Sequence, residues 1–143
     1  MKRIFVDTNL LIRYLTNDDP AKAGRVEQWL DKAAAGEVKL VTAEMVLAET
    51  VWVLESSYGL SNAQVAPLIR GILATPGLEV LNAALVTRAL DHYQALRVDF
   101  VDGYIAAVME KQGIDEILSF DRKHMPRLKG VRHREHGGRR TED

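Results

Sequence analysis

Apolar and polar positions along this chain alternate between two periodicities. Short apolar runs at residues 3–6, 38–41, 78–81 and 117–120 are typical of strands, and residues 131–133 form a weaker fifth run. Between them, apolar residues recur every three or four positions, as in amphipathic helices. Strands that alternate with helices indicate a parallel sheet with helices on both faces. We therefore predict an α/β fold with a central parallel sheet of four or five strands.

Local capping signals predict where the helices begin and end. Asp19 and Pro20 are a strong start signal for a helix that stops at Gly36. Ser61 with Gln64 reads as a capping box, although the proline that follows at position 67 costs that helix a hydrogen bond. The remaining predicted caps are Thr8 or Asn9, Thr42, Asn82 and, at a C-terminus, Gly113.

The composition is that of one globular domain: 143 residues, 47% hydrophobic and 27% charged. We predict a domain over residues 1–134 and a disordered polar tail over residues 135–143. The absence of cysteine excludes disulfides and thiolate chemistry. No apolar run is long enough to span a membrane, and the N-terminus has no signal-peptide pattern, so a cytoplasmic location is expected.

A net charge of −1 does not by itself indicate a nucleic-acid-binding protein. Basic residues do concentrate near the C-terminus, where they form either an RNA-facing rim or a solvated tail. They are Arg122, Lys123, His124, Arg127, Lys129, Arg132, Arg134, Arg139 and Arg140.

Four acidic residues occupy positions where a carboxylate needs an explanation. Asp7 closes the first apolar run and Asp121 closes the fourth, while Asp102 starts one predicted helix and Glu49 lies within another. In an open α/β sheet, ligands bind beyond the carboxyl ends of the strands. We therefore expect these four carboxylates to converge there. Such a pocket needs a hard cation, and oxygen ligands select Mg²⁺ or Mn²⁺ over zinc.

Glu49 is the most informative of these acids because its helix is apolar on nearly every side. That pattern predicts a buried carboxylate, which needs a cation, a proton or a salt-bridge partner. For Asp7, Asp102 and Asp121, taken singly, a role at a helix N-terminus is an equally good explanation.

Small polar residues beside the acids suit a supporting role. Thr8, Asn9 and Ser119 are predicted to orient a carboxylate or a metal-bound water, although helix capping also explains Thr8. Asp99, three residues before Asp102, is predicted to be an auxiliary ligand or to support the ligands.

Together these residues resemble the motifs of the PIN-domain ribonucleases, and among them the VapC toxins of bacterial toxin–antitoxin pairs. The resemblance runs from Ile4 to about Asp121, and Ser119 stands where the family often has threonine. The matching segments are Val6-Asp7-Thr8-Asn9, the Glu49 helix, Asp99-Phe100-Val101-Asp102 and Ser119-Phe120-Asp121.

The resemblance implies a PIN-like three-layer α/β/α fold and metal-dependent cleavage of RNA, with Asp7, Glu49, Asp102 and Asp121 as catalytic metal ligands. It also implies a small VapB-like antitoxin that occludes the active site, and usually a homodimer. An excess of apolar residues on the early helices favours a dimer as well: Leu15, Val26, Trp29 and Leu30. Substrate contacts are expected from Arg13, Arg97, Arg122 and Lys123.

Other functions compete with this interpretation. A phosphatase of the haloacid dehalogenase type is disfavoured, because it needs a second aspartate where this chain has Asn9. A phospho-receiver domain is disfavoured as well, because it needs an acidic pair at the end of its first strand, and the pair Asp18-Asp19 lies far from that point. A PIN-like module that binds RNA or a partner without cutting stays open, as does a housekeeping RNA-processing nuclease.

Overall fold

The computed structural model describes residues 1–120, 132–136 and 139–140. The chain divides into two compact units, Met1–Ala83 and Ala84–Asp143, and each is described by itself. Within the described residues, no helix is both long enough and apolar enough to cross a membrane.

The first unit is built on a parallel sheet of three strands in the order β1-β2-β3. The strands are β1 (Lys2–Phe5), β2 (Val38–Thr42) and β3 (Leu78–Val80). Leu40 of β2 lies opposite Ile4 of β1 and Leu78 of β3. Because all three strands run the same way, their carboxyl ends lie at one edge of the sheet.

Four helices connect and cover these strands: α1 (Thr8–Leu15), α2 (Pro20–Ala34), α3 (Glu44–Ser56) and α4 (Asn62–Leu73). Asp19 accepts a hydrogen bond from the Lys22 amide at 3.1 Å, as the predicted start of α2 requires. The capping box of α4 is also confirmed, since Ser61 and Gln64 bond each other reciprocally. Each of these two helix starts is therefore specified by residues that are close neighbours in the sequence.

The core of the first unit comes from the sheet and from one side of each helix. Its side chains are almost completely buried because they pack between α1, α3, α4 and the strands. They include Val6, Leu11, Ile12, Leu40, Leu47, Val51, Leu54, Val65 and Ile69. Val26 belongs to this core too, at 5% exposure, and Leu15 and Leu30 are partly buried. The apolar excess that favoured a dimer is thus mostly used within the chain.

The second unit contains α5 (Ala83–Leu96), α6 (Phe100–Gln112), β4 (Glu116–Leu118), β5 (Arg132–His136) and β6 (Arg139–Arg140). Tyr93 and Phe100 pack edge to face, with ring centroids 6.2 Å apart. Gly113 ends α6 with φ of +70°, which confirms its predicted role as a C-terminal cap.

The α/β class and the parallel sheet are confirmed, but among the described residues the central sheet has three strands instead of the predicted four or five. The described strands form a three-stranded parallel sheet and a separate sheet in the order β4-β5-β6. In the second sheet, β4 pairs with β5 in parallel and β6 pairs antiparallel. Apolar runs predict that strands exist, whereas pairing depends on long-range contacts. The predicted boundary between the domain and the C-terminal tail, at residue 134, falls inside β5, and these domain limits stay a prediction.

Candidate functional site

Asp7 lies where the chain passes from β1 into α1. The main chain of Val6 continues the sheet, because its amide donates to the Val41 carbonyl oxygen at 2.8 Å. Asp7 then takes the N-cap position of α1, and its Oδ1 accepts a hydrogen bond from the Thr8 amide at 2.7 Å. The predicted caps Thr8 and Asn9 were wrong, since both already lie within the helix. The exposed Asp7 carboxylate therefore stands at the carboxyl edge of the sheet.

Thr8 is buried beside this carboxylate, with 4% of its surface exposed. Its hydroxyl has no hydrogen-bond partner among the residues that the structure describes. Burying a hydroxyl without a partner is costly, so such a group calls for an explanation. Asn9, the next residue, is exposed.

Thr42 holds the same edge of the sheet together. It was predicted to cap α3, but the N-cap of α3 is Ala43, which makes no side-chain capping bond. The Thr42 hydroxyl instead donates to the Val6 carbonyl oxygen at 3.0 Å. The prediction was wrong because the buried carbonyl at the end of β1 is the acceptor that this hydroxyl reaches.

Glu49 lies in the middle of α3, and its predicted burial was wrong. Leu47, Thr50, Val51 and Leu54 form the buried side of the helix. Glu49 is exposed instead, and its apolar neighbours Met45 and Trp52 are 77% and 64% exposed. Apolar periodicity therefore failed here because two large apolar residues of α3 lie outside the core. An exposed carboxylate also bears little desolvation cost, so burial no longer argues for a bound cation.

Glu44 and Asn82 form a polar pair at the carboxyl edge that the sequence analysis missed. Glu44 opens α3 directly after β2, and Asn82 follows β3. The Asn82 side-chain amide donates to Glu44 Oε2 at 3.0 Å. The position of Glu44 directly after a strand was the signal available in the sequence.

Asp99 and Asp102 lie at the start of α6. Asp99 is the N-cap residue and makes no side-chain capping bond, while Asp102 is partly buried in the first turn. Gly103 fixes this turn closely against α5, because a Cβ at Gly103 would lie 2.7 Å from the Ala89 carbonyl oxygen. The close approach of α5 and α6 therefore sets where Asp102 stands.

Ser119 follows β4 and bonds to β5 through its main chain. Its amide donates to the Arg134 carbonyl oxygen at 2.6 Å, and its own carbonyl oxygen accepts from His133 Nε2 at 2.6 Å. His133, the last residue of the predicted fifth strand, is 4% exposed. Asp121, Arg122 and Lys123 lie outside the described residues.

The oxygen donors around Asp7 suit a hard cation. The Thr8 amide holds one carboxylate oxygen, and Oδ2 has no hydrogen-bond donor among the described residues. The next residue, Thr8, adds a buried hydroxyl oxygen that has no hydrogen-bond partner in the described part of the chain. Across the described part of the chain, no group of three or more acidic or histidine side chains is arranged to hold a metal ion. The convergence of all four acids, one of which lies outside that part, stays a prediction.

Comparisons with known proteins agree with the resemblance in the sequence. The PIN domain family model matches residues 4–131. A VapC ribonuclease of Aquifex aeolicus (strain VF5) is 25% identical over 118 residues, which cover 82% of this chain and 87% of that protein. The crystal structure of Mycobacterium tuberculosis VapC20, a toxin that cleaves the sarcin–ricin loop, matches with 26% identity and a TM-score of 0.39. That match covers 84% of this chain and 91% of VapC20. Since the family model spans most of the sequence, this chain belongs to the PIN domain family.

Proposed function

We propose that this protein is a metal-dependent ribonuclease that cleaves RNA phosphodiester bonds and acts as the toxin of a toxin–antitoxin pair. Membership of the PIN domain family and a relative named VapC ribonuclease support this proposal. The observation that carries it is the exposed Asp7 carboxylate at the carboxyl edge of the sheet, followed by Thr8, whose buried hydroxyl has no hydrogen-bond partner among the described residues.

In this proposal, Asp7, Glu49, Asp102 and Asp121 hold Mg²⁺ or Mn²⁺. When bound, the cation supplies positive charge at the scissile phosphate and makes water a stronger nucleophile at neutral pH. Thr8, Asn9, Asp99 and Ser119 support the ligands by hydrogen bonding.

Three groups beside Asp7 have different roles in this proposal. The Thr8 amide fixes one carboxylate oxygen, Oδ1, which leaves Oδ2 available to a ligand. The helix N-terminus favours negative charge beside it, which suits a phosphate as well as the carboxylate. The buried Thr8 hydroxyl provides a hydrogen bond to an ordered water molecule.

Partners follow from the same proposal. A small VapB-like antitoxin is expected to occlude the site, and a homodimer and a cytoplasmic location remain predictions. The apolar excess on the early helices now supports a dimer less strongly, because Val26 lies in the core. Light scattering of the purified chain, with and without the product of the adjacent reading frame, tests both associations.

The direct test of the activity is cleavage of total RNA by the purified full-length chain, followed by mapping of new 5′ ends. We expect discrete cleavage sites in Mg²⁺ or Mn²⁺ and none when EDTA is added. Asp102→Asn should remove the same sites. A protein that binds RNA but yields no new 5′ ends in either metal would favour the non-catalytic PIN-like module. Cleavage confined to RNA precursors would favour a housekeeping nuclease.

A further inference from the structure

A basic groove lies between α1 and α2 in the first unit. The cavity there has a volume of about 400 Å³. Arg13 of α1 and Lys22, Arg25 and Trp29 of α2 line it, together with Asn9. We call this surface the α1–α2 groove. Among the described residues that line it, three are basic and none is acidic.

The cations of the groove differ in how far they are already neutralised. Arg13 pairs with Asp18 at 3.2 Å, and Lys22 lies 3.9 Å from Asp19. Arg25 has no ion-pair partner in the part of the chain that the structure describes. An exposed guanidinium without a carboxylate partner is a ready donor to phosphate oxygens.

Trp29 supplies a flat aromatic surface beside these cations. It is 40% exposed, and Lys32 Nζ lies 4.8 Å from its ring centroid. A second cavity, of about 250 Å³, adjoins Trp29 and is lined by Arg25, Gln28 and Lys32. Trp29 therefore lies between two cavities whose charged residues are all basic.

We propose that the α1–α2 groove binds a single-stranded segment of the RNA substrate. Arg25, Arg13 and Lys22 hold its phosphates, and one base stacks on Trp29. Basic residues that track a backbone, next to an aromatic residue on which a base stacks, are the usual means of binding single-stranded nucleic acid. The proposal rests on the proposed function and deepens it. Asn9 joins the groove to Asp7, two residues earlier, so an RNA strand in the groove leads toward the candidate acid.

The test measures RNA binding separately from RNA cleavage. A fluorescein-labelled single-stranded RNA is titrated by anisotropy with the full chain in Mg²⁺, in an Asp7→Asn background that prevents cleavage. Trp29→Ala should weaken binding roughly 5- to 150-fold, and Trp29→Phe should restore most of it. Arg25→Glu should weaken binding and reduce the magnitude of the negative slope of log K against log salt by roughly 0.7 or more. Lys111→Glu, the same charge change on α6, is the matched control and should bind like the parent.

Equal affinity in the parent, Trp29→Ala and Arg25→Glu proteins would overturn the inference. So would a change in these variants from dimer to monomer by light scattering with RNA affinity intact, because the groove would then be a contact between copies. If binding falls as expected but the wild-type chain produces no new 5′ ends, the groove stands and the proposed cleavage fails. If the wild type cleaves, and Trp29→Ala and Arg25→Glu leave cleavage unchanged in the wild-type background and binding unchanged in the Asp7→Asn background, the proposed function stands and the groove fails.

Discussion

The Thr42 hydroxyl donates a hydrogen bond to the carbonyl oxygen of Val6, 3.0 Å away, and joins the ends of two neighbouring strands. Thr42 is completely buried, and Val6 is 3% exposed. The residue after Val6 is Asp7, so this bond fixes the main chain from which the candidate catalytic carboxylate extends. A long-range side-chain bond thus positions the candidate site residue Asp7.

Thr42→Val should destabilise the protein by about 1–3 kcal/mol, because it leaves the buried Val6 carbonyl oxygen without this donor. Thr50→Val is the matched control. Thr50 is equally buried, but its hydroxyl bonds the Val46 carbonyl oxygen, which the Thr50 amide also reaches within the helix. Urea denaturation should show a clearly lower midpoint for Thr42→Val than for Thr50→Val. Equal midpoints would mean that the Val6 bond contributes nothing specific.

Gly103→Ala should destabilise the second unit by about 1–3 kcal/mol, since the new methyl group meets a main-chain oxygen that cannot easily move. Gly71→Ala in α4 is the control, because no atom lies within 4 Å of its added Cβ. That substitution should stabilise the protein by roughly 0.5–1 kcal/mol through helix propensity. Thermal melts distinguish the two directions, and a stabilised Gly103→Ala would contradict the close packing of α5 and α6.

Glu49→Gln should reduce RNA cleavage while changing the free energy of unfolding by less than about 0.5 kcal/mol, because Glu49 is exposed. A buried salt-bridge partner would instead cost roughly 3–5 kcal/mol. Glu55→Gln, on the same helix, should leave cleavage unchanged. Chemical denaturation and a cleavage assay on both variants provide the comparison. Wild-type cleavage by Glu49→Gln would remove Glu49 from the proposed site.

Glu110 is expected to contribute to stability in a pH-dependent way. Burial alone would raise the pKa of its carboxyl, but hydrogen bonds from His92 and Arg88 outweigh burial and hold that pKa below its ordinary value of 4.5. A carboxyl with a lowered pKa stabilises the fold above about pH 4.5, and the contribution is lost as the pH falls further. Its side chain is 41% exposed, so solvent screening limits the effect to a few tenths of a kcal/mol. The urea midpoint of wild type should exceed that of Glu110→Gln at about pH 6, and the two midpoints should become equal at about pH 3. The same difference between the two midpoints at both pH values would contradict a pH-dependent contribution from Glu110.

The elements that could be predicted from the sequence are those specified by neighbouring residues. Asp19 with Pro20, Ser61 with Gln64, and Gly113 each set a helix end through bonds within a few positions, and the structure has all three ends as predicted. The order of helices and strands followed from apolar periodicity in the same way.

The parts that could not be predicted depend on contacts between distant residues. The apolar neighbours of Glu49 suggested that it is buried. The sequence of a helix that is apolar on nearly every side does not show which of these apolar residues pack in the core. The acceptor of Thr42, 36 residues away, and the Glu44–Asn82 bond exist only once the strands are side by side.

The central claim, that Asp7 acts in catalysis and does not merely cap α1, is tested most directly by comparing two aspartates that both cap helices. Asp7 and Asp19 each accept a main-chain hydrogen bond at a helix start. Asparagine is an equally good N-cap, so Asp7→Asn and Asp19→Asn should both fold with nearly wild-type stability. We expect the rate of RNA cleavage in Mg²⁺ to fall by a factor of about 100 or more in Asp7→Asn and to remain at the wild-type level in Asp19→Asn. Equal cleavage rates in the two variants would reduce Asp7 to a helix cap and contradict the proposed ribonuclease site.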